Sequence, residues 1–270
     1  MRKGSPLSEG FRDNLSTWFD MAARHDGDMR ISTWVAVRPD LCDADGAMRL
    51  AALAFAVDSA VGMSAGFSVL PKWVVTSDMD LRVFADARVG PLRTEARPLR
   101  VGRSQALAEA WLYDEGQGDL LIGHATANHG VLVPENGPPL AVSPVGVIQR
   151  QVDDWDTTVA RPPMAVWFGA RLVGPGVCEI DLAANVRNPW GILHGALHVL
   201  LVEEAARSLV DGRVTHMSER FMAPARVGPV RASATVLGGV GSLVTVRVEV
   251  RDADAENRLC SLGLVTIEAQ

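Results

Sequence analysis

A seven-residue segment occurs twice in this chain of 270 residues, and the duplication limits the possible folds more than any other feature. Ala87–Arg93 and Ala225–Arg231 are identical at six of seven positions and lie 138 residues apart. Asp58 and Glu203 hold matching places in two apolar segments but lie 145 residues apart, a longer spacing than that of the repeated segments. The two halves therefore differ by a loop of about seven residues between the apolar segment and the next strand. A period this long excludes a solenoid and predicts two copies of one domain.

The copies divide the chain into an N-terminal domain, residues 1–140, and a C-terminal domain, residues 141–270. Residues 134–144 are rich in Pro and Gly and suit a linker. Each half has a turn, one long apolar helix and then several strands in which apolar and polar residues alternate. We therefore predict an α+β fold with two antiparallel sheets, each wrapping one long central helix.

Charge and cysteine content exclude several classes of function. The chain has 32 acidic and 26 basic side chains, a net charge of −6, and no basic run, so nucleic acid is not expected as a partner. Cys42, Cys178 and Cys260 lack the spacing of a zinc site or a disulfide framework, and no secretory signal is evident at the N-terminus. We expect a cytoplasmic protein.

The segment 50–70 is long and apolar enough to be mistaken for a membrane span. It contains Gly and Ser at short intervals, and the matching segment in the second half carries Glu203, Glu204 and Arg207. A helix that is apolar on all sides is more simply one enclosed by protein, so we expect no membrane as a partner.

The turn at 188–195 runs directly into the second apolar helix. Free N–H groups and a positive dipole end lie at a helix start, and Gly195 there lets a ligand approach the backbone closely. The amide of Gly195 is therefore a candidate donor to a substrate carbonyl. The alternative is a structural turn in which Asn188 starts the turn and His194 caps or packs.

Asp58 lies in a helix with apolar residues around its whole circumference. A carboxylate there is costly unless it is paired, so Asp58 is either catalytic or held by a buried structural bond. His194 and Glu203 lie nine residues apart in one helix, about 13.5 Å along it, and cannot share a small site. Two composite sites are therefore predicted, Asp58 facing 188–195 and Glu203 facing 43–50.

These residues resemble the hotdog-fold acyl-CoA thioesterases, particularly the phenylacetate-pathway type. That signature runs Asn, a few residues, Gly, then His-Gly and a helix with a catalytic Asp. The resemblance covers about 30–135 and 160–270 and implies a double hotdog that hydrolyses an acyl-CoA to free acid and CoA without a cofactor. Carried over by position, the catalytic set is Asp58, Thr76, Asn188, His194 and Gly195.

The same resemblance implies the roles of these residues. Gly195 would polarise the thioester carbonyl, and Asp58 would act as general base or as nucleophile. Asn188 and Thr76 would orient the water, and His194 would shape the turn or bond near the carbonyl. The residues implied to contact substrate are Met63, Phe67 and Trp73 for the acyl chain, and Arg88 and Arg226 for the phosphates of CoA.

The first-half turn departs from the pattern. Asp43, Arg49 and Leu50 stand where the second half has Asn188, His194 and Gly195. The second site, with Glu203 as its carboxylate, is therefore expected to be degenerate, leaving one working site in each chain.

Two alternatives to this function remain open. A hotdog hydratase or dehydratase is disfavoured because Val186 and Gly191 replace the Asp and His that such enzymes use. A non-catalytic acyl-CoA-binding protein is the second alternative. His194 and His198 have the spacing of metal ligands, but no third ligand is evident and no metal is expected. A homo-oligomer of the internal pseudo-dimer is a possible assembly.

Overall fold

The computed structural model describes residues 14–132, 160–188 and 190–269. The predicted linker at 134–144 and the boundary at 140/141 lie outside the described residues. The described parts of the two halves repeat one arrangement, a long helix followed by four long strands.

The described N-terminal half contains two helices and six strands. They are α1 (Asn14–Phe19), β1 (Ala22–Gly27), β2 (Arg30–Val35), α2 (Leu50–Ser68), β3 (Trp73–Val83), β4 (Leu92–Val101), β5 (Gln105–Asp114) and β6 (Leu120–Leu132). The described C-terminal half matches it in number. Its elements are α3 (Met164–Phe168), β7 (Arg171–Gly174), β8 (Val177–Ile180), α4 (Gly195–Arg207), β9 (Gly212–Phe221), β10 (Val230–Val240), β11 (Leu243–Asp252) and β12 (Arg258–Ala269).

All twelve strands of the described residues join one continuous sheet, where two sheets were expected. The strand order is β1-β2-β4-β5-β6-β3-β9-β12-β11-β10-β8-β7. The halves meet where β3 and β9 pair antiparallel, with Asp80 opposite Ser218 at the centre of the register. An unpaired strand edge exposes a row of backbone donors and acceptors, and pairing β3 with β9 satisfies both edges at once.

The two long helices lie on the inner face of this sheet and pack against each other. α2 is buried from Leu50 through Val57, and 67% of its most apolar window lies inside the protein. It is the one helix in the described ranges that is long and apolar enough to cross a membrane. Its apolar surface is covered largely by α4 and strands β2 to β6, as expected for a helix enclosed by protein.

The repeated seven-residue segments have a structural explanation. The buried carboxylate of Asp252 accepts hydrogen bonds from the N–H groups of Arg226, Val227 and Gly228 at 2.7–3.0 Å. Asp114 binds the three matching N–H groups of the first half in the same way. Each segment is therefore a loop wrapped around a buried aspartate.

Candidate active site

The carboxylate of Asp58 lies at the junction of the two halves. It projects from α2, and Thr76 on β3 donates a hydrogen bond from Oγ1 to Asp58 Oδ1 at 2.7 Å. A Cβ on Gly195 would lie 3.3 Å from Asp58 Oδ2 and 3.7 Å from Cζ of Phe221. The structure thus brings Asp58 and Thr76 of one half beside Gly195 of the other.

Gly195 is the first residue of α4, and its N–H belongs to the turn of the helix that lacks intrahelical acceptors. His194 is the N-cap, and its Nδ1 accepts from the N–H of Ala196 at 3.1 Å. Its ring also lies 6.0 Å from that of Phe55 on α2. His194 therefore caps and packs, as the structural alternative predicted, and fixes the helix start next to Asp58.

Asn188 closes the turn that leads into α4. Its Oδ1 accepts from the N–H groups of Trp190 and Ile192 at 2.9 and 3.3 Å. Gly191 within the turn has φ +71°, a backbone conformation that favours glycine. The side-chain oxygen of Asn188 is thus engaged in its own turn, which differs from the expected role of orienting water.

His129 on β6 was missed by the sequence analysis. It pairs with Thr76 across β3 and β6 and is fully buried. Neither ring nitrogen has a hydrogen-bond partner of ordinary geometry, although backbone groups of Ala106 on β5 and Ala127 on β6 lie close enough to favour the charged form. Burial lowers the pKa of His129, and the negative charge of Asp58 opposes that shift.

One signal in the sequence pointed to His129. Ala125 and Ala127 precede it at the two-residue spacing of a strand's inner face, and both are fully buried. An imidazole that ends such a row of small apolar residues faces the core, where it needs a functional or structural partner.

The second predicted site is closed by its own side chains. Both carboxylate oxygens of Glu203 accept backbone hydrogen bonds at the start of α2, from Leu50 at 3.1 Å and Ala51 at 3.0 Å. Arg49 lies 3.6 Å from this carboxylate and pairs with Glu204 at 2.6 Å. The helix start that would bind a carbonyl is therefore already occupied.

Further charges enclose the same place. Arg207 pairs with Asp43 at 2.6 Å, and Arg49 lies 3.5 Å from Asp43. Burial raises the pKa of Glu203, and the adjacent Arg49 opposes the rise. The cavity beside Glu203 measures about 40 Å³, room for no more than about three water molecules. This site cannot admit an acyl-CoA without rearrangement.

The predicted acyl-binding residues lie around the C-terminal end of α2. Met63 and Phe67 are half-buried, and the Phe67 ring meets that of His25 at 6.4 Å. Trp73, at the start of β3, makes an edge contact with Trp190 of the opposite half at 5.6 Å. These aromatic side chains provide apolar surface at the junction between the halves.

The two predicted phosphate-binding arginines differ. The guanidinium of Arg88 pairs with Asp45 and Asp86, both at 2.8 Å, so its charge is already balanced by two carboxylates. Arg226, at the matching position beside the intact turn, is exposed and has no ion pair among the described residues. Its backbone carbonyl accepts from Arg187, which also bonds the carbonyl of Gly191 and so ties the loop to the turn.

The N-terminal half matches a known family. A family model described as the acyl-CoA thioesterase C-terminal domain matches residues 2–133, which include Asp58, Thr76 and His129. The N-terminal half belongs to this acyl-CoA thioesterase family. The chain is a thioester hydrolase, as the sequence resemblance implied.

Solved structures, two of them of thioesterases, share the fold of this hydrolase over most of its length. The tesB protein of Mycobacterium avium subsp. paratuberculosis superposes with a TM-score of 0.63 at 10% identity, covering 96% of this chain and 98% of that one. An acyl-ACP thioesterase from Bacteroides thetaiotaomicron gives 0.62 at 12% identity, covering 91% and 100%. The 12:0-ACP thioesterase from Umbellularia californica gives 0.62 at 10%, covering 90% and 95%. No protein with a curated description matches this thioesterase in sequence.

Proposed function

We propose that this thioesterase hydrolyses an acyl-CoA to the free acid and CoA at one composite site. Asp58, Thr76 and His129 come from the N-terminal half, and Gly195 comes from the C-terminal half. The observation that carries the proposal is the 3.3 Å separation between Asp58 Oδ2 and the Cβ position of Gly195. A carboxylate and a free helix start then act on the same substrate carbonyl.

The thioester oxygen accepts from the N–H of Gly195, where the dipole of α4 favours developing negative charge. Because Thr76 engages Asp58 Oδ1, Oδ2 is left to take a proton from water as the water oxygen bonds to the carbonyl carbon. The tetrahedral intermediate then collapses, the C–S bond breaks, and Asp58 returns the proton to the departing thiolate of CoA. No cofactor is needed for this balance.

We favour Asp58 as base because Thr76 engages Oδ1 and leaves Oδ2 beside the start of α4, where a water molecule can bind it. A single turnover in ¹⁸O-labelled water distinguishes the two roles. General-base catalysis places the label in the acid product on the first turnover and leaves Asp58 unlabelled. If Asp58 attacked directly and water then opened the mixed anhydride at the aspartyl carbon, the first acid released would carry an unlabelled oxygen of Asp58, and the label would appear in the carboxylate.

The acyl chain lies against Met63, Phe67 and Trp73, and the phosphates of CoA lie near Arg226. The pairing of Arg88 with two aspartates provides a matched control at the corresponding loop. We expect Arg226→Ala to raise KM for acyl-CoA by about 3–10-fold, since one exposed charge contact contributes about 1 kcal/mol. Arg88→Ala should leave KM within twofold. Steady-state kinetics at low and moderate salt measure both, and equal effects would remove the assignment of Arg226.

A panel of short, medium and long acyl-CoAs with phenylacetyl-CoA tests the reaction itself. We expect free thiol to appear in equal amount to free acid. A change at the enoyl absorbance band without thiol release would instead identify a hydratase, and ligand binding without turnover would identify a binding protein.

We also propose a cytoplasmic location for this enzyme. Cys42, Cys178 and Cys260 are all free, and burial raises the pKa of each thiol, to about 11 for Cys42 and about 12 for Cys178. Unpaired thiols of this kind suit a reducing compartment.

A further inference from the structure

A cluster of three buried polar side chains lies under α4, outside the groups used above. His198 on α4 contacts Ser261 on β12, with Nδ1 and Oγ 2.9 Å apart. Glu219 on β9 pairs with Gly263, two residues from Ser261 on β12, so Glu219 and Ser261 share one face of the sheet. Both carboxylate oxygens of Glu219 are buried without a hydrogen-bond partner of ordinary geometry. The three residues are 3%, 0% and 0% exposed, so solvent does not satisfy them.

The fold itself does not require this cluster. By the duplication, the matching residues of the first half are Leu53 for His198, Leu81 for Glu219 and Gly123 for Ser261. Leu53 and Leu81 pack as ordinary core side chains. The matching buried positions thus hold apolar residues or glycine in the N-terminal half and three polar side chains in the C-terminal half.

Space for the carboxylate is provided by a glycine. Glu219 pairs with Gly263 across β9 and β12. A Cβ on Gly263 would lie 2.6 Å from Glu219 Oε2 and 2.8 Å from a methyl group of Val202 on α4. In the first half the matching position is Ala125, which faces Leu81 instead of a glutamate.

One end of the cluster reaches the candidate active site. The ring of His198 makes an edge contact with Phe221 at 5.6 Å, and Phe221 Cζ lies 3.7 Å from the Cβ position of Gly195. His198 also follows the N-cap His194 by one helical turn. The cluster therefore contacts Phe221 directly and is attached to the first turns of α4 through His198.

We propose that Glu219, Ser261 and His198 form a positioning chain that holds Phe221 and the first turn of α4 at the geometry that thioester hydrolysis requires. This inference rests on the proposed function. An acid proton on Glu219 can be donated to Ser261 Oγ, and the Ser261 hydroxyl can then donate to His198 Nδ1, which fixes the orientation of the His198 ring.

The charges around Glu219 agree with such a chain. Burial raises the pKa of Glu219 to about 8, against the lowering effects of Ser261 and Arg220. On α4, burial lowers the pKa of His198, the nearby His194 acts in the same direction, and together they bring it to about 4. On β3, the residue opposite Glu219 is the uncharged Met79. At neutral pH the chain thus contains an acid and a neutral imidazole.

The test replaces the chain by the residues of the first half, in the variant Glu219→Leu/Ser261→Gly/His198→Leu. Replacing buried polar groups by apolar ones is often neutral or stabilising, so we expect a folded protein. We expect kcat to fall about 10–100-fold with KM within threefold, because positioning at the reacting carbonyl is lost. Leu53→Met, at the position matching His198, is the control and should retain activity. A folded triple variant with the kcat of the wild type would overturn the proposal.

Glu219→Gln separates positioning from plain packing, since the amide keeps the shape of the acid and cannot ionise. We expect at least half of the wild-type kcat at pH 7. Wild-type kcat should decline as the pH rises through about 8, and the Gln variant should lack this decline.

Protein stability provides a readout separate from activity. In the unfolded state Glu219 loses its proton at a lower pH than in the folded state. Between about pH 5 and 8 only the unfolded state is therefore ionised at Glu219, and the wild-type Tm should fall as the pH rises through this range. The Tm of Glu219→Gln should fall less. Equal melting and pH-rate profiles for the two proteins would contradict the chain. If neither wild type nor Asp58→Asn releases thiol, the proposed function fails, whereas the melting comparison still tests the protonation of Glu219.

Discussion

Asp58→Asn is expected to lower the turnover of acyl-CoA by about 10²–10⁴-fold, the range found when a general base is removed. The amide keeps the size of the side chain and can still accept from Thr76 Oγ1, which donates to Asp58 Oδ1 at 2.7 Å. It cannot take a proton from water. The loss should therefore fall on kcat, with KM little changed.

Glu203→Gln is the matched control for Asp58→Asn, because the two carboxylates hold the same place in the two halves. The Glu203 oxygens accept from the N–H groups of Leu50 and Ala51. An amide NH₂ facing one of these donors leaves a buried group unpaired, and we expect about 1–3 kcal/mol of lost stability. Activity should remain close to that of wild type. A folded Asp58→Asn enzyme with near-normal turnover would show that Asp58 is not the base.

The duplication in the sequence predicted more of the site than any single motif. The helix geometry of His194 and Glu203 excluded a site within one half and so predicted that Asp58 faces the turn of the other half. The structure confirms this proximity, with Gly195 next to Asp58. Periodicity also predicted α2 and the alternating strands, because side-chain burial leaves a direct trace in the sequence.

Features that depend on backbone pairing or on distant partners left no such trace. The junction of β3 with β9 is made by backbone hydrogen bonds, which every residue type offers, so the single sheet was not predictable from side chains. Arg88 looked equivalent to Arg226 until Asp45 and Asp86 were placed beside it. The spacing of His129 after Ala125 and Ala127 indicates an inner-face position, but its nearness to Thr76 follows only from the β3–β6 register.

The largest asymmetry between the halves is expected at Gly195. Its Cβ position lies 3.3 Å from Asp58 Oδ2 and 3.7 Å from Phe221 Cζ. The branched side chain of valine would therefore occupy the space through which a carbonyl approaches the helix N–H. Since loss of one such donor costs about 2.7–4 kcal/mol in other enzymes, we expect Gly195→Val to lower kcat by at least about 10²–10³-fold.

Leu50, which starts α2, is the residue that matches Gly195, and Leu50→Ala is the control. The backbone donors there already bind Glu203, so trimming this side chain opens no catalytic position and should leave kcat within about threefold of wild type while lowering Tm through a lost core contact. Titration with a tight, non-hydrolysable acyl-CoA analogue should then give one site per chain in wild type and in Leu50→Ala, and none in Gly195→Val. Two equivalent sites per chain, or an active Gly195→Val enzyme with a normal Tm, would contradict the asymmetry. Either result would mean that the start of α2 binds and activates a carbonyl through the same N–H groups that already donate to Glu203.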